Sequence, residues 1–301
     1  MHSFLRSIGF RSYVKKREVE QVLKNIIANP DEKVIVPFDD DNNITVLRKA
    51  TAPDMGIILY GETDEDGQFQ MEYYYPYLYS EQVSTTVECT LKKQGGRESY
   101  AGLCEDYHVG VSLIFYLTNV IEMHKEKLRR RAVPKVEGVQ LAALAESGKI
   151  LLPVAKTKKQ AQDSWNQFQD RTRLIEQARN GDDKAINILT MQEVKLCENI
   201  KKQIEVKKVD IYTLVDSFFM PTGVECDNYS IMGDIEDVRI VKNQLTGENV
   251  YNLLVNCNHI RFHVAVQQED LMGIPAPGRR FKGKVWMQGR ALFERVTPEL
   301  A

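Results

Sequence analysis

The chain has no closely spaced cysteines, no long apolar run and no excess of charge of one sign, and only ten of its 301 residues are proline. Each shortage removes a class of protein. The five cysteines (Cys89, Cys104, Cys197, Cys226, Cys257) are an odd number at wide spacing. A chain of this length buries enough apolar surface to need no staples, so reduced thiols and a cytoplasmic location are expected. No C-x₂-C pair is present, and structural zinc normally requires one. The longest apolar stretch, Val109 to Ile121, carries Ser112, Thr118 and Asn119. It falls short of the roughly 20 residues that cross a bilayer, so no membrane partner is expected. The opening MHSFLRSIGFRS holds charges and a glycine where a secretory signal needs an apolar core, and no signal is expected. A net charge of −2 carries no whole-chain signature of nucleic-acid binding. No Walker loop, dinucleotide glycine fingerprint or nucleophile elbow is present. No cofactor, metal or catalytic residue is therefore assigned, and a non-enzyme is the favoured expectation.

What is present is ordinary globular composition, 43% apolar and 27% charged, with a local charge bias. Residues 1–110 and 209–301 are net acidic, while 111–208 are net basic. Residues 15–28 place Val19, Val22, Leu23, Ile26 and Ile27 at helical spacing before Asn29-Pro30. Strands are predicted over 33–38, 44–48, 56–62, 68–79 and 83–92, with Thr63 to Gly67 as a turn. A helix is predicted over 109–130, with Asp106 as its cap, and a hairpin over 136–154 turning at Glu146-Ser147-Gly148. Residues 156–208 read as a helical hairpin, broken at Gly181 and restarted by Asp182 and Asp183. The last segment suggests five strands: 229–241, 250–256, 260–266, 281–288 and 291–296. A short helical turn separates the third from the fourth. That order is the pattern of an oligonucleotide/oligosaccharide-binding (OB) barrel. The expectation is an α+β protein in three parts: an antiparallel sheet with helices over 1–155, a helical hairpin over 156–208, and an OB-like five-stranded barrel over 209–301.

The segment GRRFKGKVWMQG, residues 278–289, concentrates bases, glycines and aromatics. Strand alternation puts Phe281, Gly283 and Val285 on one face and Lys282, Lys284 and Trp286 on the other. With Arg279 and Arg280, these cations and the indole suit a nucleic-acid strand or a phosphorylated ligand. Glycines beside aromatics equally suit a coiled barrel strand. Cys226, Cys257, His259 and His263 invite a metal reading, but two histidines four apart on a strand lie about 13 Å from each other. MEYYYPY at 71–77, with Tyr79, aligns Met71, Tyr73, Tyr75, Tyr77 and Tyr79 on one face, as a stacking platform or as cross-strand packing. The acidic runs at 39–43 and 64–67 read as turns, because neither continues as a calcium loop. Cys104, Glu105, Asp106 and His108 form a polar group too local in sequence to be a typical catalytic site.

HSFLRSIGF at 2–10, MEYYYPY, ESYAG and VGVSLIFYL around 98–117, VDSFFMPTGVECDNYSIMG at 215–233, and GRRFKGKVWMQG are similar to blocks of a family of functionally uncharacterised bacterial proteins of about 300 residues. The resemblance runs from end to end. It implies a cytosolic bacterial protein and transfers no catalytic residue. The expected function is a non-enzymatic cytoplasmic interaction or adaptor protein with a protein partner. The alternative is a nucleic-acid-binding module using Arg279, Arg280, Lys282, Lys284 and Trp286.

Overall fold

The computed structural model describes residues 2–37, 43–64, 66–95, 99–106, 112–132, 134–153, 158–207 and 215–294. The acidic run at 39–42 and His108 lie outside them. A 3₁₀ segment, Ser3–Ile8, leads into α1 (Lys16–Ala28), whose buried residues Val19, Leu23 and Ile26 follow the helical period. Strands β1 (Glu32–Pro37), β2 (Asn43–Ala52), β3 (Met55–Thr63) and β4 (Phe69–Leu78) form an antiparallel meander in that order. The predicted turn between β3 and β4 is there: Gly67 takes φ 79°, and Asp64 Oδ1 accepts from the Gln68 amide at 2.7 Å. Pro76 lies in β4, an edge strand, where a missing ladder donor is tolerated.

The second sheet is larger. It contains β5 (Cys89–Gln94), β6 (Ser99–Cys104), β7 (Leu113–Leu117), β8 (Val136–Leu151), β9 (Phe218–Pro221), β10 (Asn228–Lys242), β11 (Asn249–Cys257), β12 (Ile260–Gln267), β13 (Leu271–Met272) and β14 (Arg280–Phe293). Its order is β13-β8-β12-β11-β10-β14-β7-β6-β5, with β9 beside β10 and a further pairing of β8 with β14. Five strands therefore pair in a closed circuit, β8 to β12 to β11 to β10 to β14 and back to β8. Only the β8–β12 contact in that circuit is parallel. Tyr229, Ile231, Val255, Phe262, Val264, Phe281 and Val285 are among the residues it buries almost completely.

Four sequence expectations are corrected here. Leu113–Leu117 is a strand, and the helix α2 starts only at Val120 and ends at Arg130. A short apolar run flanked by a helical pattern is ambiguous between the two, and pairing with β6 and β14 decides it. Among the described residues Asp106 caps no helix; its buried carboxylate accepts from Thr85 Oγ1 at 2.5 Å. Residues 136–151 are one continuous strand, not a hairpin. Glu146 is the extra residue of a β-bulge where the register slips opposite Lys284 and Val285. Finally, 281–288 and 291–293 are not two strands but one, β14, which runs unbroken to Phe293, and residues 295–296 lie outside the described residues. The fifth strand of the circuit is β8, from before the helical hairpin.

The hairpin itself comprises α3 (Lys158–Arg179) and α4 (Asp183–Lys207), which pack on each other. Gly181 takes φ 87°, and Asp182 Oδ1 accepts from the amides of Lys184 and Ala185 at 2.9 and 3.4 Å. That is the expected stop and restart. The strands before and after this hairpin share one sheet.

A candidate binding cleft on one face of β14

β14 has two faces. Phe281, Val285 and Met287 are fully buried on one. The rings there explain the glycines. A Cβ on Gly148 or Gly283 would lie 2.4 or 2.7 Å from the Phe281 ring, and one on Gly102 or Gly289 would lie 2.0 or 2.3 Å from Phe115. Phe281 covers Gly283 of its own strand and Gly148 of β8, and Phe115 covers Gly102 of β6 and Gly289 of β14, so the glycines supply room for the rings.

The other face carries Arg280, Lys282, Lys284, Trp286 and Gln288 at period two. Its ends are covered. Arg280 is 4% exposed and donates from Nε to Leu152 O at 3.1 Å and from Nη1 to Val215 O at 3.0 Å. Those carbonyls flank the helical hairpin, so one guanidinium ties its two roots together. Trp286 is 6% exposed, with ring centroids 4.8 Å from His2, 5.5 Å from Phe4 and 5.1 Å from Tyr116. Its Nε1 donates to Asp227 Oδ2 at 2.8 Å, while burial holds the Asp227 carboxyl above its ordinary pKa. Gln288 bonds the β4 backbone, donating to Pro76 O at 2.7 Å and accepting from Leu78 N at 3.1 Å.

Lys282 and Lys284, between these covered ends, face a cleft of about 820 Å³. Register adds neighbours that spacing alone does not reveal. Lys282 stands directly opposite Lys149 of β8, and Lys284 lies between Ser147 of β8 and Ser230 of β10. All five line the cleft. The far wall is the 3₁₀ turn Gln268–Asp270 with β13. Its carboxylates are engaged: Arg6 Nε donates to Asp270 Oδ2 at 2.5 Å, and Arg11 pairs with both Glu269 and Asp270.

Of the five residues singled out in sequence, the structure brings Lys282 and Lys284 into one open cleft. Arg280 and Trp286 are committed to internal contacts. Arg279 is half-buried and donates from Nη1 to Ile274 O at 2.6 Å, across the loop before β14. Lys149, Ser147 and Ser230 escaped sequence reasoning because their proximity depends on strand register.

The remaining candidates resolve as packing. Tyr60, Tyr73, Tyr75 and Tyr116 form a chain of rings with centroids 4.9, 6.2 and 4.9 Å apart, and Tyr75 Oη donates to Thr118 O. Asn258 and His259, at φ 51° and 66°, make the tight β11–β12 turn. His263 Nδ1 lies 2.8 Å from Asn252 Oδ1. Cys257 Sγ donates to Phe218 O and Met232 O. Among the described residues no three His, Cys, Asp or Glu side chains cluster as a metal site. Cys104 faces Cys89 across β5 and β6, and their hydrogen bond together with burial pushes the Cys104 thiol well up. A protonated buried thiol is a poor nucleophile.

Fold and site together define a mixed α+β protein built on one large sheet. The chain belongs to the family described as a domain of unknown function, E. rectale gene description (DUF3881), whose model matches residues 5–289. It is thus an uncharacterised bacterial domain over nearly its whole length. No curated protein and no solved structure matches it. Among the described residues no helix is long and apolar enough to cross a membrane.

Proposed function

We propose that the chain is a non-enzymatic cytoplasmic interaction protein whose helical hairpin, residues 156–208, carries the partner surface. The observation behind this reading is on α4. Ile186 and Ile188 are each 44% exposed, Val194 is 53% and Met191 is 67% exposed. At about 100° per residue these four spread over roughly 200° of the helix, away from the side marked by buried Ala185. Isolated exposed apolar side chains are commonplace, but four within nine residues of one helix form a patch that a partner would cover. Arg280 clamps the roots of the hairpin, so a partner can engage it without disturbing the sheet.

The closed circuit of β8, β12, β11, β10 and β14 supports an OB-like barrel over the C-terminal part, with β8 in place of a fifth strand after β14. A second reading, nucleic-acid binding through residues 279–286, is favoured by Lys282 and Lys284 alone. Arg280 and Trp286 already have protein partners.

Tagged purification from the native cell, in nuclease-treated and untreated halves, tests both. Protein partners that survive nuclease and are lost from a Met191→Glu/Val194→Glu variant are expected. Partners lost with the nucleic acid would contradict the reading.

A further inference from the structure

We infer that Cys89 and Cys104 form a reversible dithiol–disulfide switch that locks the outer strand of the large sheet. This stands apart from the hairpin surface and does not depend on it.

The first argument is register. Cys89 opens β5, Cys104 ends β6, and the two stand directly opposite each other in the antiparallel ladder. Directly opposed residues on such strands have Cα atoms about 4.5–5.5 Å apart and side chains on one face. A disulfide spans Cα atoms about 4.4–6.8 Å apart, so the backbone already holds the two residues within reach of the bond. The side chains meet as well, because the two thiols share a hydrogen bond. Cys226 and Cys257 instead bond backbone carbonyls, those of Gly223 and Asn228 and of Phe218 and Met232.

The second argument is a division of roles between the sulfurs. Cys104 is 0% exposed, whereas Cys89 is 8% exposed and lies on a strand with a neighbour on one side only. The bond to Cys89, and after it burial, holds the proton on Cys104. Cys89 is thus the sulfur an oxidant meets first, and Cys104 the one that answers it. Oxidation of Cys89 weakens the bond that keeps Cys104 protonated, so the second thiol is released as a nucleophile only after the first has reacted.

The chemistry closes with hydrogen peroxide as the oxidant. Cys89 Sγ, its proton given up, attacks one peroxide oxygen; an S–O bond forms, the O–O bond breaks, and the departing hydroxide takes up that proton as water. Cys104 Sγ then attacks Cys89 Sγ. The S–S bond forms, the S–O bond breaks, and the hydroxyl leaves with the Cys104 proton as a second water. Two thiols lose two electrons and one peroxide becomes two waters. Exchange with a small dithiol returns both cysteines to thiols.

Placement gives the switch its effect. β5 is the last strand of its sheet and pairs with β6 alone. The chain from Gln94 to Ser99 joins one end of this pair. The thiols stand at the open end, beyond which Thr85 Oγ1 donates to Asp106 Oδ2 at 2.5 Å. In the dithiol form hydrogen bonds alone hold that end, and an edge strand so held frays. A disulfide there closes β5 and β6 into a covalent ring.

The test uses the full chain and hydrogen peroxide as the probe. The reduced protein is oxidised, its remaining thiols are blocked, and its peptides are mapped by mass spectrometry. One intramolecular linkage between Cys89 and Cys104 is expected, with loss of two hydrogens from the intact mass and full reversal by dithiothreitol. Hydrogen exchange over 89–94 and 99–104 is expected to slow about tenfold or more in the oxidised form. In Cys104→Ser, dimedone is expected to trap a sulfenic acid at Cys89, while Cys89→Ser should leave Cys104 unlabelled. The unmutated chain by itself decides whether the linkage forms, so the proposal stays open to refutation even if a variant does not fold. Linkage of either cysteine to another partner, linkage that forms only in urea, or oxidation of Cys89 to a sulfinic acid without linkage would overturn the proposal. Unchanged exchange across a linkage that does form would overturn the locking role.

Discussion

Phe115 and Phe281 do at single positions what the glycine-rich segment 278–289 suggested in outline. That the glycines serve strand geometry was legible in the sequence; which ring each glycine admits was not, because Gly102, Gly148 and Gly289 meet their rings across strands. Gly289→Ala is expected to cost roughly 1–3 kcal/mol of unfolding free energy, the range for overpacking. Pairing it with Phe115→Leu should recover part of that loss, as measured by urea unfolding of the double-mutant cycle. Trp286→Ala is expected to destabilise by about 3–5 kcal/mol, as truncation of a buried aromatic does. The co-facial placement of Lys282, Lys284 and Trp286 was readable from alternation, but the rings that cover the indole come from residues 2–4 and 116. Histidine burial sets an acid limit. Burial, with the nearby N-terminal charge, lowers the His2 pKa to about 4, and burial with Arg239 lowers that of His263. Both folded-state values lie below the unfolded value of about 6.5. Their neutral forms therefore contribute stability above that pH and lose it as the pH falls, for His2 through about 4. The unfolding midpoint should drop over this window, and drop less in His2→Gln.

At the scale of elements, strand and helix identities were easiest to read where a turn residue fixed an end. The turn at Gly67 and the break at Gly181-Asp182 follow from local backbone chemistry. Reading failed where the same residue types serve two purposes. Glu146-Ser147-Gly148 resembles a hairpin turn but is a bulge followed by a glycine beneath Phe281. The apolar run after Val109 looked wholly helical, yet its Leu113–Leu117 part is a strand fixed by partners distant in sequence. Arg280 is the element-scale device: it holds Leu152 and Val215 together at the hairpin roots. Arg280→Leu removes two hydrogen bonds from a charged donor, worth about 1.5–3 kcal/mol each. Faster deuterium uptake confined to the segments around 150–153 and 215–219 is expected by hydrogen-exchange mass spectrometry. Uptake unchanged there would mean that the roots are held by other contacts.

For the whole molecule, the α+β class and the long bent strand, hairpin and short turn of the C-terminal part were legible. The source of the fifth strand was not, because a circuit closed by β8 joins residues more than 120 positions apart. Strands from both sides of the hairpin form one sheet. Replacing 158–207 by a short Gly/Ser linker should leave a single cooperative unfolding transition near the midpoint of the intact chain. Co-purification of partners by this shortened chain tests the central claim most directly. The account requires that it recover none of the nuclease-resistant proteins captured by the intact chain. Their full recovery by the shortened chain would contradict it and move the partner surface onto the sheet.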